Sequence, residues 1–206
     1  MTPTEFQALT GATPAQMGDL ERFVGRLTEA NAVMNLVGPD SLPDVWNRHI
    51  YDSAQLLEYA PTALTWADLG AGAGFPGLVL AIMLKTRRKG HVWLIDSLGK
   101  RCRFLQEAVD ALSLRATVVH ARAEDSPVTV DVVTARAVAP MDKLLGYAQP
   151  YLQRGARGLF LKGEKAEAEV EAARKVWQFE GTLSVSRSDP RGRIVSVRSL
   201  RRVKTW

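Results

Sequence analysis

Trp66-Ala67-Asp68-Leu69-Gly70-Ala71-Gly72-Ala73-Gly74-Phe75-Pro76-Gly77 is the stretch that decides how this chain folds. An apolar run, Leu64 to Leu69, enters it; four glycines follow between positions 70 and 77; a second apolar run, Leu78 to Leu84, leaves it. That order predicts a strand, a tight loop and a helix. Glycine is wanted where the backbone must take positive φ or come very close to a ligand. Such a loop presents backbone N–H groups at a helix N-terminus, which favours acidic groups of a ligand. Pro76 suits the first helical turn, where its missing donor costs little. A glycine-rich turn with no ligand is the plain alternative.

Downstream of this loop, strand and helix patterns alternate. Candidate strands are 64–69, 91–96, 116–120, 131–135 and 158–162, with helices between them. The clearest helix has Phe104, Leu105, Ala108, Val109 and Leu112 on one face. Alternation of this kind predicts a parallel sheet covered on both faces. After a helix at 164–177, strands at 180–187 and 193–199 are joined by Ser188-Asp189-Pro190-Arg191-Gly192 and read as an antiparallel hairpin at the sheet edge. Upstream, Thr13-Pro14-Ala15-Gln16 has the form of a capping box with proline at the first helical position, and Met17, Leu20, Val24 and Leu27 recur at helical spacing. A helix from 14 to about 33 follows. A second is expected after Ser41, with Val45, Trp46, His49, Ile50, Leu56 and Leu57 on one face and Pro61 ending it. The chain therefore divides into an N-terminal helical cap, 1–60, and an α/β domain, 61–206.

Composition sets bounds. At 206 residues, 46% apolar and 24% charged, the chain can bury a sizeable core. No apolar run approaches the ~20 residues of a membrane span, and Met1 to Thr13 lacks the basic and apolar regions of a signal peptide. A single cysteine, Cys102, excludes an internal disulfide and fits a reducing cytoplasm. The net charge of +5 permits a polyanionic partner. No metal is expected, and a monomer is.

In an open α/β sheet, ligands bind beyond the carboxyl ends of the strands. Gly72, Gly74 and Gly77 satisfy the dinucleotide spacing G-x-G-x-x-G. However, the glycines begin earlier, at Gly70, and Asp68 precedes them at the strand end. That Asp-x-Gly-x-Gly-x-Gly arrangement resembles the first motif of S-adenosylmethionine (SAM) methyltransferases. The second strand ends in Asp96, where a carboxylate can accept from both ribose hydroxyls of an adenosine; it can also cap the following helix. Beyond the third strand lies Ala121-Arg122-Ala123-Glu124-Asp125, either an adenine contact or a solvated acidic loop. Beyond the fourth, Arg136 stands between Ala135 and Ala137, which suggests an exposed functional arginine holding a carboxylate or phosphate; the bland reading is an ion pair to Glu124 or Asp131.

The chain resembles the bacterial small-subunit (16S) ribosomal RNA guanine-N7 methyltransferases, formerly called glucose-inhibited division protein B. The resemblance runs from about Asn31 to Val197. It rests on Asn35-Leu36-Val37, Arg48-His49-Ile50-Tyr51-Asp52-Ser53, the glycine loop with its Gly74-Phe75-Pro76-Gly77 ending, Asp96-Ser97-Leu98-Gly99-Lys100-Arg101, Arg122-Ala123-Glu124, Ala135-Arg136-Ala137 and Leu161-Lys162-Gly163. It implies a Rossmann-like class I SAM-dependent methyltransferase fold, seven-stranded and mostly parallel. It also implies SAM as cofactor, with Gly70, Gly72 and Phe75 contacting it from the loop, Asp96 on the ribose, Ala123 and Glu124 flanking the adenine, and Arg136 completing the site and positioning the reaction. Asn35, Arg48, His49, Asp52 and Lys162 become candidates for binding the substrate, 16S ribosomal RNA in the small subunit or in an assembly intermediate. Asp96 stands where some relatives have Glu, and Phe75 where others have Leu; neither changes the chemistry.

Other methylations leave different marks. Methylation of an exocyclic amine typically uses Asp/Asn-Pro-Pro-aromatic after the fourth strand, where this chain has Arg136 to Pro140. Methylation of cytosine C5 needs a nucleophilic cysteine in a Pro-Cys setting, which Cys102 lacks. His49, on the apolar stripe of its helix, reads as a hydrogen-bonded core residue or, with Arg48, Asp52 and Asn35, as part of a substrate cluster. Lys85-Thr86-Arg87-Arg88-Lys89, Lys100 to Arg103, Lys162, Arg201, Arg202 and Lys204 would grip phosphates if they share one face. Two rival functions remain: methylation of a small molecule or protein, and a non-catalytic nucleotide-binding module on the same fold.

Overall fold

The computed structural model describes residues 1–125 and 127–203; Lys204 of the basic tail lies outside the described residues. One seven-stranded sheet runs in the order β3-β2-β1-β4-β5-β7-β6. Its strands are β1 (Thr65–Leu69), β2 (His91–Asp96), β3 (Ala116–His120), β4 (Val132–Arg136), β5 (Arg157–Lys162), β6 (Trp177–Val185) and β7 (Arg193–Arg202). The first five pair in parallel, whereas β7 is antiparallel to both β5 and β6. This is the expected sheet, with its largest boundary differences at the C-terminal end. β6 covers Trp177–Val185 rather than 180–187, β7 continues to Arg202 rather than 199, and the helix before β6 covers Ala166–Arg174 rather than 164–177. Trp177 is buried against the sheet and belongs to the core of the strand.

Among the described residues, eight α-helical segments cover the two faces. α1 (Pro3–Thr10), α2 (Pro14–Met34), α3 (Asp52–Ala54), α4 (Leu56–Tyr59), α5 (Gly77–Met83) and α6 (Gly99–Ala111) precede β3; α7 (Met141–Leu152) and α8 (Ala166–Arg174) flank β5. Side chains alternate across β1: Trp66 joins the core that holds α1, α2, α5 and α6, while Ala67 and Leu69 join the core under α7 and α8. The N-terminal segment shares the first core. Leu20, Phe23 and Leu27 pack in the same cluster as Phe75 and Leu78, and Phe23 lies 5.3 Å from the Phe75 ring. Polar links reinforce this contact. Gln16 donates to the Met83 carbonyl at the end of α5, and the buried Asp19 accepts from Lys85 at 2.6 Å.

The capping box at Thr13 forms as read, and α2 follows it. A second one, Thr2 with Glu5, starts α1, which the sequence reading passed over despite the same Thr-Pro-x-Glu/Gln signal. The helix expected after Ser41 is not continuous. It opens as a π-helical turn, Trp46–Tyr51, and breaks into α3 and α4. His49, Ile50 and Tyr51 are all buried along this wider turn.

The glycine loop is closed by contacts that exclude side chains. Gly77 donates its N–H to the Asp68 carboxylate at 2.8 Å, and a Cβ there would stand 2.7 Å from that same oxygen. Gly77→Ala is therefore expected to cost about 1–3 kcal/mol of stability through overpacking, read as a lower urea midpoint at unchanged slope. An unchanged midpoint would show that the loop relaxes freely.

Candidate active site

Parallel pairing puts the carboxyl ends of β1 to β4 along one edge, with Leu69 beside Ile95 and Ala135, and Asp96 beside His120. The strand order reverses between β1 and β4, the switch point where open α/β sheets bind ligands. A cavity of about 350 Å³ opens there. Gly70, Asp96, Leu98, Ala123, Glu124 and Tyr147 line it, together with the chain after β4 at Ala137 and Val138. Gly70 has φ +66°, and a Cβ on it would meet a methyl of Val138 at 2.7 Å, so the side chain after β4 packs directly on the start of the glycine loop.

Asp96 organises this cavity. It is 3% exposed; one carboxylate oxygen accepts from Gly72 N–H at 2.9 Å and the other from Leu98 N–H at 2.8 Å. The helix-capping and ligand-facing readings thus hold together. A carboxylate offers about four acceptor positions, and two are used by these amides. Arg101 approaches to 3.8 Å, and the Cys102 thiol donates to the Asp96 carbonyl at 3.2 Å. Cys102 is buried, as expected of a packed residue, and burial pushes its thiol pKa up.

Beneath the loop sits Asp68, fully buried, with one oxygen on Gly77 N–H and no partner for the other among the described residues. Burial pushes its carboxyl up to about 7, an effect that the Gly77 bond and Arg136 only partly offset. The folded state keeps this proton up to about pH 7, whereas an ordinary Asp releases it near 3.8. The stability that Asp68 contributes is therefore full below about pH 4 and falls as pH rises towards 7. Between pH 5 and pH 8, Asp68→Asn should gain on the order of 2–3 kcal/mol relative to the parent protein. Urea titrations of both proteins at the two pH values test this, and a pH-independent difference would contradict it.

Across the chain at Arg136 and Ala137 lies a second cavity, about 270 Å³, lined by Arg48, Asp52, Arg136, Lys162, Glu169 and the β6–β7 turn at Ser188, Asp189 and Gly192. Ala137 lines both cavities and has φ +55°, a strained conformation for a residue with a Cβ. Arg136 points into the second cavity, with its side chain 18% exposed. It donates to the Arg48 carbonyl at 2.9 Å and meets Asp52 at 3.5 Å, not Glu124 or Asp131. Its guanidinium lies 5.0 Å from the Phe75 ring centroid. Lys162 pairs with Glu169 at 2.6 Å and donates to the Ala139 carbonyl.

His49 and Phe75 lie behind these groups. Their rings stack at 4.8 Å and 19°, and both are buried. His49 Nε2 pairs with the Ser41 hydroxyl at 2.8 Å; burial, with Arg136 and Arg48 nearby, lowers its pKa to about 3 and keeps it neutral. Phe75 lines neither cavity; its ring supports the loop from the core side. Asn35 is the left-handed cap of α2 and also lies outside both cavities. Asp131, offered as a partner for Arg136, instead accepts from the N–H groups of Leu64 and Thr65 at the other end of β1.

Several partnerships emerge only in three dimensions. Asp52 is a hub: it accepts from Ser188 at 2.6 Å, Gln55 at 3.0 Å and Ser186 at 3.3 Å, tying the β6–β7 turn to the N-terminal segment. Gln55 and Asn47 add bonds to Arg187 N–H and the Ser188 carbonyl. Turn composition marked 188–192 as a connection, yet nothing local showed what it docks on. Tyr147, one turn before Tyr151 on α7, lines the first cavity through a helix read only as packing.

The basic groups do not share one face. Arg48, Lys100, Arg101, Arg136 and Lys162 gather at the carboxyl edge of the parallel strands. Lys85 to Lys89 precede β2, and Arg201 and Arg202 end the antiparallel β7, so both groups lie at the opposite edge. There Lys85 is held by Asp19, and Arg87 by the carbonyls of Pro61 and Ala63.

Comparison with known proteins agrees with this architecture. An O-methyltransferase from Bacillus cereus solved in complex with SAH superposes with a TM-score of 0.58 at 14% identity, covering 86% of this chain and 91% of that one. A magnesium protoporphyrin IX methyltransferase from Synechocystis with bound SAH gives 0.56 at 16% identity over 79% and 88%. These likenesses establish the class I methyltransferase fold. Sequence relatives are much nearer. The Ribosomal RNA small subunit methyltransferase G of Caulobacter vibrioides is 58% identical over 97% of this chain and 92% of its own length. That of Methylorubrum populi is 45% identical over 89% of each. The GidB family profile, described as rRNA small subunit methyltransferase G, matches residues 16–191. On sequence, fold and site together, the chain belongs to the rRNA small subunit methyltransferase G family.

Proposed function

We propose that this protein transfers a methyl group from SAM to N7 of one guanine in 16S ribosomal RNA, acting in the cytoplasm on the small subunit or an assembly intermediate. The observation that carries this reading is the pair of cavities sharing the Arg136–Ala137 main chain, one built around a carboxylate and one lined by cations.

The first cavity fits SAM. Asp96 keeps two acceptor positions for ribose hydroxyls, Gly70 brings backbone to the cavity wall without a side chain, and Ala123 and Glu124 stand where an adenine would lie. Its volume falls in the usual range for small-molecule sites. Gly72 acts through its N–H on Asp96, and Phe75 holds the loop from behind. When bound, SAM supplies an electrophilic methyl on a sulfonium sulfur.

The second cavity is the acceptor side. Guanine N7 carries a free lone pair and no proton, so its attack needs no general base. His49, held neutral and buried, is not asked to move a proton. The work of the chain is positioning the two partners in line. Arg48, Arg136 and Lys162 supply cationic donors for phosphate or for the purine O6 edge. The product purine is cationic, and Asp52, Glu169 and Asp189 on the same cavity wall favour that charge.

Deletion of the gene, followed by nucleoside analysis of 16S RNA, tests this reading. Loss of one 7-methylguanosine, restored by the intact gene and not by the Arg136→Ala form, is expected. An unchanged 7-methylguanosine content would refute it.

A further inference from the structure

The first cavity has one wall that the sheet does not support. β3 is the edge strand and pairs only with β2, so the loop that follows it, 121–125, is backed from one side. Its entry is pinned by Ala121 N–H on the Asp96 carbonyl at 3.1 Å, and a turn closes between Arg122 and Asp125. The middle of the loop is held from elsewhere. Tyr151 reaches it from α7 and donates its hydroxyl to the Ala123 carbonyl at 2.8 Å.

We propose that Tyr151 is a positioning residue for the purine of SAM: its hydroxyl fixes the Ala123 carbonyl and so the orientation of the loop that meets the adenine. The inference rests on the placement of SAM given above.

Three observations carry it. Tyr151 is fully buried in the core under α7 and α8. A buried hydroxyl costs free energy unless it is bonded, and this one is spent on a cavity-lining loop. Second, the Ala123–Glu124 peptide is planar and trans, so fixing the Ala123 carbonyl also aims the Glu124 N–H away from Tyr151. Both residues of that peptide line the cavity. Third, Tyr147 and Tyr151 lie four residues apart on one face of α7, so one helix both lines the cavity through Tyr147 and holds the loop through Tyr151. Burial also raises the phenol to about 12, which keeps the proton on the oxygen and makes Tyr151 a constant donor.

Tyr151→Phe removes the one oxygen and keeps the ring. Titration calorimetry on the full chain is expected to show the Kd for SAM raised about five- to tenfold, the effect of losing the bond to the Ala123 carbonyl. 5′-Methylthioadenosine, which keeps the adenosine and lacks the amino acid, should weaken by the same factor. Turnover at saturating SAM and the KM for small subunits should stay within about twofold of the parent. The inference is overturned if both affinities are unchanged, if SAM weakens while methylthioadenosine does not, or if the loss falls on turnover or on the KM for subunits. Amide exchange across 121–125 in the same variant should quicken; unchanged exchange would also overturn it. Asp96→Ala separates the two levels. If Asp96→Ala binds SAM normally, the cofactor placement falls and this inference with it. If only Tyr151→Phe binds normally, the placement stands and the role of Tyr151 falls.

Discussion

Asp96→Ala should lower the affinity for SAM about a hundredfold or more, the sum expected of two charge-assisted hydrogen bonds to a ribose. The Gly72 and Leu98 amides take one acceptor position on each oxygen of Asp96, which leaves one on each in a residue that lines the cavity. Removing the carboxylate also frees both amides, so the glycine loop and the start of α6 lose their shared anchor. Asp96→Asn separates these effects, because its single oxygen can keep one amide bond while the ligand-facing charge is lost. Calorimetry on both variants should find Ala weaker than Asn and Asn weaker than the parent. Parent-like binding by Asp96→Ala would remove the cofactor placement.

Arg136→Ala should reduce methyl transfer to small subunits by about 10²- to 10³-fold, the range seen when a preorganised polar contact to reacting groups is lost. The fold should survive. The side chain leaves one bond to the Arg48 carbonyl and a 3.5 Å contact to Asp52, while Asp52 keeps its bonds from Ser188 and Gln55. Because Arg136 faces the second cavity and not the first, SAM affinity should change little and the loss should appear in turnover and in the KM for RNA. Retained activity in the folded variant would exclude Arg136 from the site. Lysine at 136 should rescue poorly, since a point charge cannot replace a planar fork.

The arrangement of the sheet was legible because its signals are local. The run into Gly70, the spacing to Asp96 and the turn residues at 188–192 each report on a few neighbours in the chain. The π-helical turn at Trp46–Tyr51 was not legible, since its apolar residues fit the spacing of an ordinary helix and the wider turn differs only in its backbone hydrogen bonding. At the site, Asp96, Gly70, Ala123 and Glu124 were found by position at strand ends, which the topology guarantees will converge. Arg136 was found for the same reason, yet its partner Asp52 lies 84 residues away, and charge alone favoured nearer acids. Ser186, Ser188 and Gln55 are invisible in sequence because their role exists only where the hairpin docks on the N-terminal segment. Of the two readings of His49, the structure matches the hydrogen-bonded core residue: a neutral, buried ring that bonds to Ser41, stacks on Phe75 and lines neither cavity.

Methyl transfer from labelled SAM to small ribosomal subunits isolated from cells lacking this gene, followed by nucleoside analysis, tests the central claim most directly. Label is expected in 7-methylguanosine of 16S RNA, with none in other nucleosides. Label in a different nucleoside, or no label while SAM binds with normal affinity, would contradict it.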